Sequence, residues 1–268
     1  MRHADDISDD ESLPSAERRS RLQRWLEDWH RVQEGIPSDD PVFVALADTQ
    51  KKYGIPAGLL DQLVQGTSMD LQSAAPDATA PEHVQGGIAT AASVLRVHRN
   101  FADLYQYCYF VASVVGLVCI RIYGYDDRRA EELAERCGVA FQLTNIIRDV
   151  KEDAARGRVY FPEQDLTRFG LSMEDFFSGR IEQSRLQALL DFEAERAREY
   201  YRSAAELIPL IHEDSRAALW VMVTIYQRLL EKVAASGYAV LQRKVRLSAA
   251  EKLGILARGI AKSIFNSI

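Results

Sequence analysis

The chain has 268 residues, 47% of them hydrophobic, with 33 basic and 39 acidic side chains and a formal net charge of −6. That length supports a substantial core, and the acidic balance, with no basic stripe to neutralise phosphates, argues against a nucleic-acid partner. Three cysteines, Cys108, Cys119 and Cys137, lack metal-site spacing and read as reduced core thiols of a cytoplasmic protein.

The N-terminus is charged and has no apolar leader core. Asp5, Asp6, Asp9, Asp10 and Glu11 follow at once, and on a helix Asp5 and Asp9 lie one turn apart on one face. Taken alone, such a cluster also suits a solvated surface or the positive end of a helix dipole. Helical patterns are predicted over 15–34, 39–53 and 56–71, with breaks at Gly35–Pro37 and Gly54–Pro56. Residues 73–95 break the pattern with a Pro-flanked loop and a Gly/Ala-rich stretch, either a flap over a cavity or a passive surface insertion.

A helix predicted over 99–123 contains the most apolar stretch, Tyr105 to Ile122. Arg121 interrupts it and Arg96, His98, Arg99 and Asp103 precede it, so it reads as a buried central helix rather than a membrane span. Its small residues Ala112, Ser113 and Gly116 either let a neighbouring helix approach or leave a channel open. The next helix, 128–153, carries apolar residues at 139, 140, 143, 146, 147 and 150 in a single stripe. Beside the stripe run Gln142, Asn145, Asp149, Glu152 and Asp153, a strip of oxygen acceptors that suits a lined cavity. Two acidic faces, Asp5 with Asp9 and Asp149 with Asp153, would together bind a hard divalent cation such as Mg²⁺, with a diphosphate completing its shell.

Gly157 and Pro162 then turn the chain, leaving Arg158 and Tyr160 directly after the carboxylates. The Arg158 guanidinium suits diphosphate oxygens, although a surface ion pair would account for it equally. Further helices are predicted over 172–179, 183–208, 213–237 and 248–265, and no segment alternates like a strand. No linker or repeat divides the sequence. The prediction is an all-α, single-domain helical bundle over 1–268 with a central cavity.

Asn145-Ile-Ile-Arg148-Asp149-Val-Lys-Glu152-Asp153 with Gly157-Arg158-Val-Tyr160-Phe-Pro162 closely resembles the second aspartate-rich motif of the squalene/phytoene synthase family. Arg2-His-Ala-Asp5-Asp6-Ile-Ser-Asp9 resembles its first motif, and Tyr107-Cys-Tyr-Phe-Val-Ala112-Ser-Val-Val-Gly116 is similar to its central helix. The match runs through nearly the whole chain in the family's order. Members generally carry a further segment ahead of the first motif, so the sequence reads as N-terminally short.

The resemblance implies an isoprenoid-synthase-type fold and Mg²⁺-dependent head-to-head condensation of two prenyl diphosphates through a cyclopropylcarbinyl diphosphate. The product would be squalene, presqualene diphosphate or a phytoene-type triene, with NADPH needed only for squalene. It implies metal ligation by Asp5, Asp9, Asn145, Asp149 and Asp153. Substrate binding would fall to Arg2, Gln142, Arg148 and Arg158, with Ala112 and Gly116 walling the prenyl channel, and catalysis to Tyr107 and Tyr160. Peripheral membrane association for product release is a further expectation. The alternatives are a chain-elongating or cyclising enzyme with similar acidic faces, and a non-catalytic assembly factor of the same fold. Within the crowded second cluster, replacing Asp149 or Asp153 by Asn is expected to leave stability level or higher by relieving repulsion.

Overall fold

A computed structural model describes residues 2–8, 10, 12–72 and 98–264, which fall into two compact units. The first contains α1 (Arg2–Ser8), α2 (Ser15–Gln33), α3 (Pro41–Tyr53) and α4 (Ala57–Gln72), together with residues 156–158. Asp40 starts α3 by accepting the Val42 N–H at 2.8 Å, with Pro41 preset for the first turn. Apolar side chains one turn apart on α2, Leu22, Trp25 and Trp29, face inward, and Phe43 of α3 packs against both indoles. Ala4 and Ile7 of α1 close on Leu22, and Arg18 holds the Ser8 carbonyl at 2.9 Å.

The second unit begins with α5 (Phe101–Cys108), a π-helical turn (Tyr109–Ser113) and α6 (Val114–Tyr123). It continues through α7 (Arg129–Arg148), α8 (Val150–Ala155), α9 (Glu163–Arg168), α10 (Met173–Ser178), α11 (Gln183–Leu207), α12 (Glu213–Ala235) and α13 (Ala249–Ile264). No strand occurs among the described residues, so the all-α expectation holds. Three details differ from the periodicity. The π turn divides the helix expected over 99–123. Asp149, at φ −100° and ψ 15°, separates α7 from α8 where one helix was expected. And α9 follows Pro162, whose ring-fixed φ launches a helix where only a turn was expected. Residues 73–95, the expected flap or insertion, lie outside the described residues.

α7 is the axis of this unit, packed against α11 most extensively and also against α6 and α12. Its expected stripe is the buried face: Val139, Ala140, Leu143, Ile146, Ile147 and Val150 are each at most 4% exposed. Small residues let α6 and α7 touch. A Cβ on Gly138 would stand 2.4 Å from Ser113 Cα, and one on Gly116 would stand 3.3 Å from the Ala134 carbonyl oxygen. Ser113 Oγ then donates to the Glu135 carbonyl at 2.6 Å across the same contact. The Phe101–Tyr123 stretch is long and apolar enough to cross a membrane, and a third of its apolar window is buried. The expected buried central helix is therefore realised on one face only. Leu104, Tyr107, Cys108, Ser113, Val114 and Ile120 are buried, while Ala112, Val115, Gly116 and Cys119 are half-buried around a cavity.

Candidate functional site

The polar edge of α7 runs beside its buried stripe. Asn145 Nδ2 donates to Gln142 Oε1 at 3.3 Å, which turns Asn145 Oδ1 away, buried and without a hydrogen-bond partner. The helical ladder persists through the break at Asp149. Its N–H bonds the Asn145 carbonyl, and the Asp153 N–H bonds the Asp149 carbonyl, each at 2.9 Å. Asp149 and Asp153 therefore keep the one-turn spacing expected of them.

The Asp149 carboxylate does not stand in a cluster of uncompensated acids. Arg148 grips it with Nε at 2.8 Å and with a second bond from its terminal nitrogen. Lys244 reaches it at 3.0 Å and Glu152 at 3.3 Å. Burial is the largest influence on the Asp149 carboxyl and opposes its charge, but the bonds from Arg148 and Lys244 together hold it below the ordinary carboxylate range. The Arg148 guanidinium is raised, first by that same bond. Attraction rather than repulsion dominates around Asp149, which runs against the expectation that neutralising it would leave stability level or higher.

Arg148 and Lys244 also line a hollow of about 440 Å³ with Arg246, Lys252, Tyr226 and Leu247. Four cations line this concave surface, two of them, Arg148 and Lys244, already paired with Asp149, and guanidinium and ammonium groups so placed attract anionic oxygens. The sequence reading missed Lys244, Arg246, Lys252 and Tyr226, which come from α12 and from the segment before and into α13. The only signal was the basic run at 243–246, which has no periodicity of its own.

Further back along the same face of α7 lies an apolar cavity of about 90 Å³, walled by Ala112, Val115, Gly116, Cys119, Phe141 and Met222, among others. Ala112 and Gly116 share this wall, as expected of a channel, and Gly116 also serves helix approach. Phe141 of this cavity stacks at 4.4 Å on Tyr226 of the basic hollow, so one aromatic pair separates an anion-binding surface from an oily one. The cavity thiol Cys119 and the buried Cys108 and Cys137 are unpaired, and burial pushes the Cys137 thiol up to about 12.

Tyr107, at the end of α5, and Tyr160, after α8, are brought together, their rings stacked at 5.0 Å. His98, which the sequence reading passed over, completes a cluster with them at 5.4 and 6.3 Å. Arg158 is half-buried in the first unit. The side chains of Arg2, Asp5 and Asp9 lie outside the described residues. Among the described residues no three acidic, histidine or cysteine side chains converge on one point. Oxygen donors of the type a hard cation takes are nevertheless present. The orphaned Asn145 Oδ1 and Glu152 Oε2 are buried oxygens with unused lone pairs, next to the Asp149 carboxylate.

The sequence matches the squalene/phytoene synthase family over residues 1–251. It is 31% identical to a phytoene synthase of Mycobacterium tuberculosis over 265 residues, covering 98% of this chain and 79% of the relative. A 15-cis-phytoene synthase of Synechococcus elongatus is 32% identical over 246 residues, 87% of this chain and 71% of that one. Among solved structures, a ligand-bound dehydrosqualene synthase superimposes with a TM-score of 0.79 at 28% identity, covering all of this chain (100%) and 84% of that one. Squalene synthase HpnC from Alicyclobacillus acidocaldarius gives 0.72 at 22% identity, covering 88% and 79%, a likeness of fold.

Proposed function

The chain belongs to the squalene/phytoene synthase family, prenyltransferases that join two prenyl diphosphates head to head, and from that premise we propose how its residues share the reaction and which product they make. The observation that carries the reading is the Phe141–Tyr226 partition, with cations on one side and an apolar cavity on the other. An amphiphile with an anionic head and a hydrocarbon tail needs both surfaces. Arg148, Lys244, Arg246 and Lys252 bind diphosphate oxygens, with Gln142 orienting Asn145; for Arg2 and Arg158 the same role rests on the sequence motifs alone. Ala112 and Gly116 wall the tail.

Divalent-metal dependence is general to the family. Here Mg²⁺ is the proposed ion, held by Asn145, Asp149 and Asp153, with Asp5 and Asp9 as the second face. When bound it supplies Lewis-acid charge to the departing diphosphate. Loss of one diphosphate leaves an allylic cation, which the second substrate's double bond attacks. One proton is lost, giving the cyclopropylcarbinyl diphosphate. Departure of the second diphosphate opens and rearranges the ring, and loss of a second proton gives the phytoene-type triene. Tyr107 and Tyr160 stabilise the cations with their ring faces and accept or relay those protons. Ending in proton loss, this sequence needs no NADPH, and the names of the relatives at 31–32% identity support that ending.

The test is incubation with C15 and C20 diphosphates, with Mg²⁺ or EDTA and with or without NADPH, reading products by mass spectrometry. A reduced C30 product formed only with NADPH would overturn the phytoene-type assignment. Unchanged turnover in EDTA would overturn the metal. We place the enzyme in the cytoplasm at a lipid surface that takes up its water-insoluble product. Leu253, Leu256, Ile260 and Ile264, exposed on α13 with Lys252 and Arg258, support that placement. Failure to co-sediment with anionic vesicles would remove it.

A further inference from the structure

His98 lies just ahead of α5, is 3% exposed, and places its ring against both tyrosines of the cluster. Its backbone is held as firmly as its ring. The first N–H groups of a helix have no partner within it, and those of α9 are taken by this segment. Glu163 N–H bonds the His98 carbonyl at 2.8 Å, and Gln164 N–H bonds the Arg99 carbonyl at 3.1 Å. The chain carrying Tyr160 is thereby fastened to the chain carrying His98. A second fastening lies within the next two residues of each segment. Arg196 of α11 bonds Asp165 of α9 at 2.9 Å and Glu193 at 2.8 Å, with its guanidinium 4.2 Å from the centre of the Phe101 ring of α5.

Both backbones are thus fixed, but a tyrosine ring still turns about its own side-chain bonds unless packing stops it. The His98 ring adds packing against both, 5.4 Å from the Tyr107 ring and 6.3 Å from the Tyr160 ring. We propose that His98 is a positioning residue for the condensation, the third ring of a triangular cluster, tilted 48° against Tyr107, whose packing keeps the faces of Tyr107 and Tyr160 in a single orientation. The proposal rests on the reading of those two tyrosines as the groups that face the cations.

The test compares His98→Ala and His98→Phe with the parent enzyme for kcat, KM, melting temperature and the share of prenyl alcohols formed by water capture. Removing the ring should lower kcat about tenfold or more while leaving KM within about threefold, because a small misplacement acts on the transition state. The alcohol share should rise. His98→Phe, which restores a flat ring, should recover most of both losses. A packing role alone would lower the melting temperature and leave the product ratio of the folded enzyme unchanged, and that result would overturn the proposal. So would a failure of Phe to rescue, or a loss expressed in KM. Tyr107→Leu and Tyr160→Leu separate the two levels. If both keep the parental product ratio, the tyrosine reading falls and this inference with it. If they are impaired while His98→Ala is not, the inference alone falls.

Discussion

Asp149→Asn removes one charge and keeps the shape of the side chain. In the folded protein the carboxylate side chain is 18% exposed, gripped twice by Arg148 and once by Lys244 at 3.0 Å. An amide keeps one acceptor oxygen but turns an N–H₂ towards one of those cations, so about half of the interaction is lost. With bonds to charged groups worth about 1.5–3 kcal/mol, and some screening at this exposure, the variant should be less stable by roughly 1–3 kcal/mol. For a fold of this size that is a fall of roughly 2–5 °C in melting temperature. The sign with pH is fixed by the lowered carboxyl pKa. The stabilisation is fully present above the unfolded value of about 3.9 and is lost as pH falls through the lower folded value. Thermal melts of both proteins in EDTA, at neutral pH and stepwise into acid, should therefore diverge at neutral pH and converge at the acid end. An Asn variant equal to or more stable than the parent at neutral pH would refute the reasoning and restore the view of a repulsive cluster. Turnover with Mg²⁺ should fall by about a hundredfold or more, the scale of a lost electrostatic contact to the transition state.

Ala112→Phe intrudes on the 90 Å³ cavity and should cut activity on a C20 diphosphate more than on a C15 one. Parallel loss on both substrates, with destabilisation of about 1–3 kcal/mol, would mark the site as packing alone. Gly138→Ala drives a methyl to within 2.4 Å of the Ser113 backbone and should cost about 3 kcal/mol in a urea titration, whereas an unchanged midpoint would show that α7 is free to retreat. Glu193 is 1% exposed and burial pushes its carboxyl up to about 7, with Asp165 adding to the rise against the pull of Arg196. Its folded pKa exceeds the unfolded one, so its contribution is whole below about pH 4 and is lost as pH rises through about 7. Glu193→Gln should flatten the decline in stability across that window, and a parental slope in the variant would exclude Glu193 as its source.

The sequence by itself determined the helical class, most element bounds and one half of the acidic site. These are local properties. A period of 3.6 marks the stripe from Val139 to Val150, and four-residue spacing puts Asp149 and Asp153 on one side whatever the rest of the chain does. Small residues near Gly116 pointed to close approach or a channel, and the structure sets Gly116 against the Ala134 backbone at the wall of a 90 Å³ cavity. Only tertiary structure decided what surrounds Asp149. Lys244 lies far along the chain and reaches the carboxylate only because the segment after α12, with its turn at Ala239–Leu241, packs against α8, so no spacing rule announces it. The same holds for Tyr226 against Phe141 and for His98 against Tyr107 and Tyr160. Electrostatic sign at a site is a sum over neighbours in space, and a row of acids read in one dimension lists only the neighbours in sequence. That is why the acidic motif and its neighbour Arg148 were legible and the compensation by Lys244 was not.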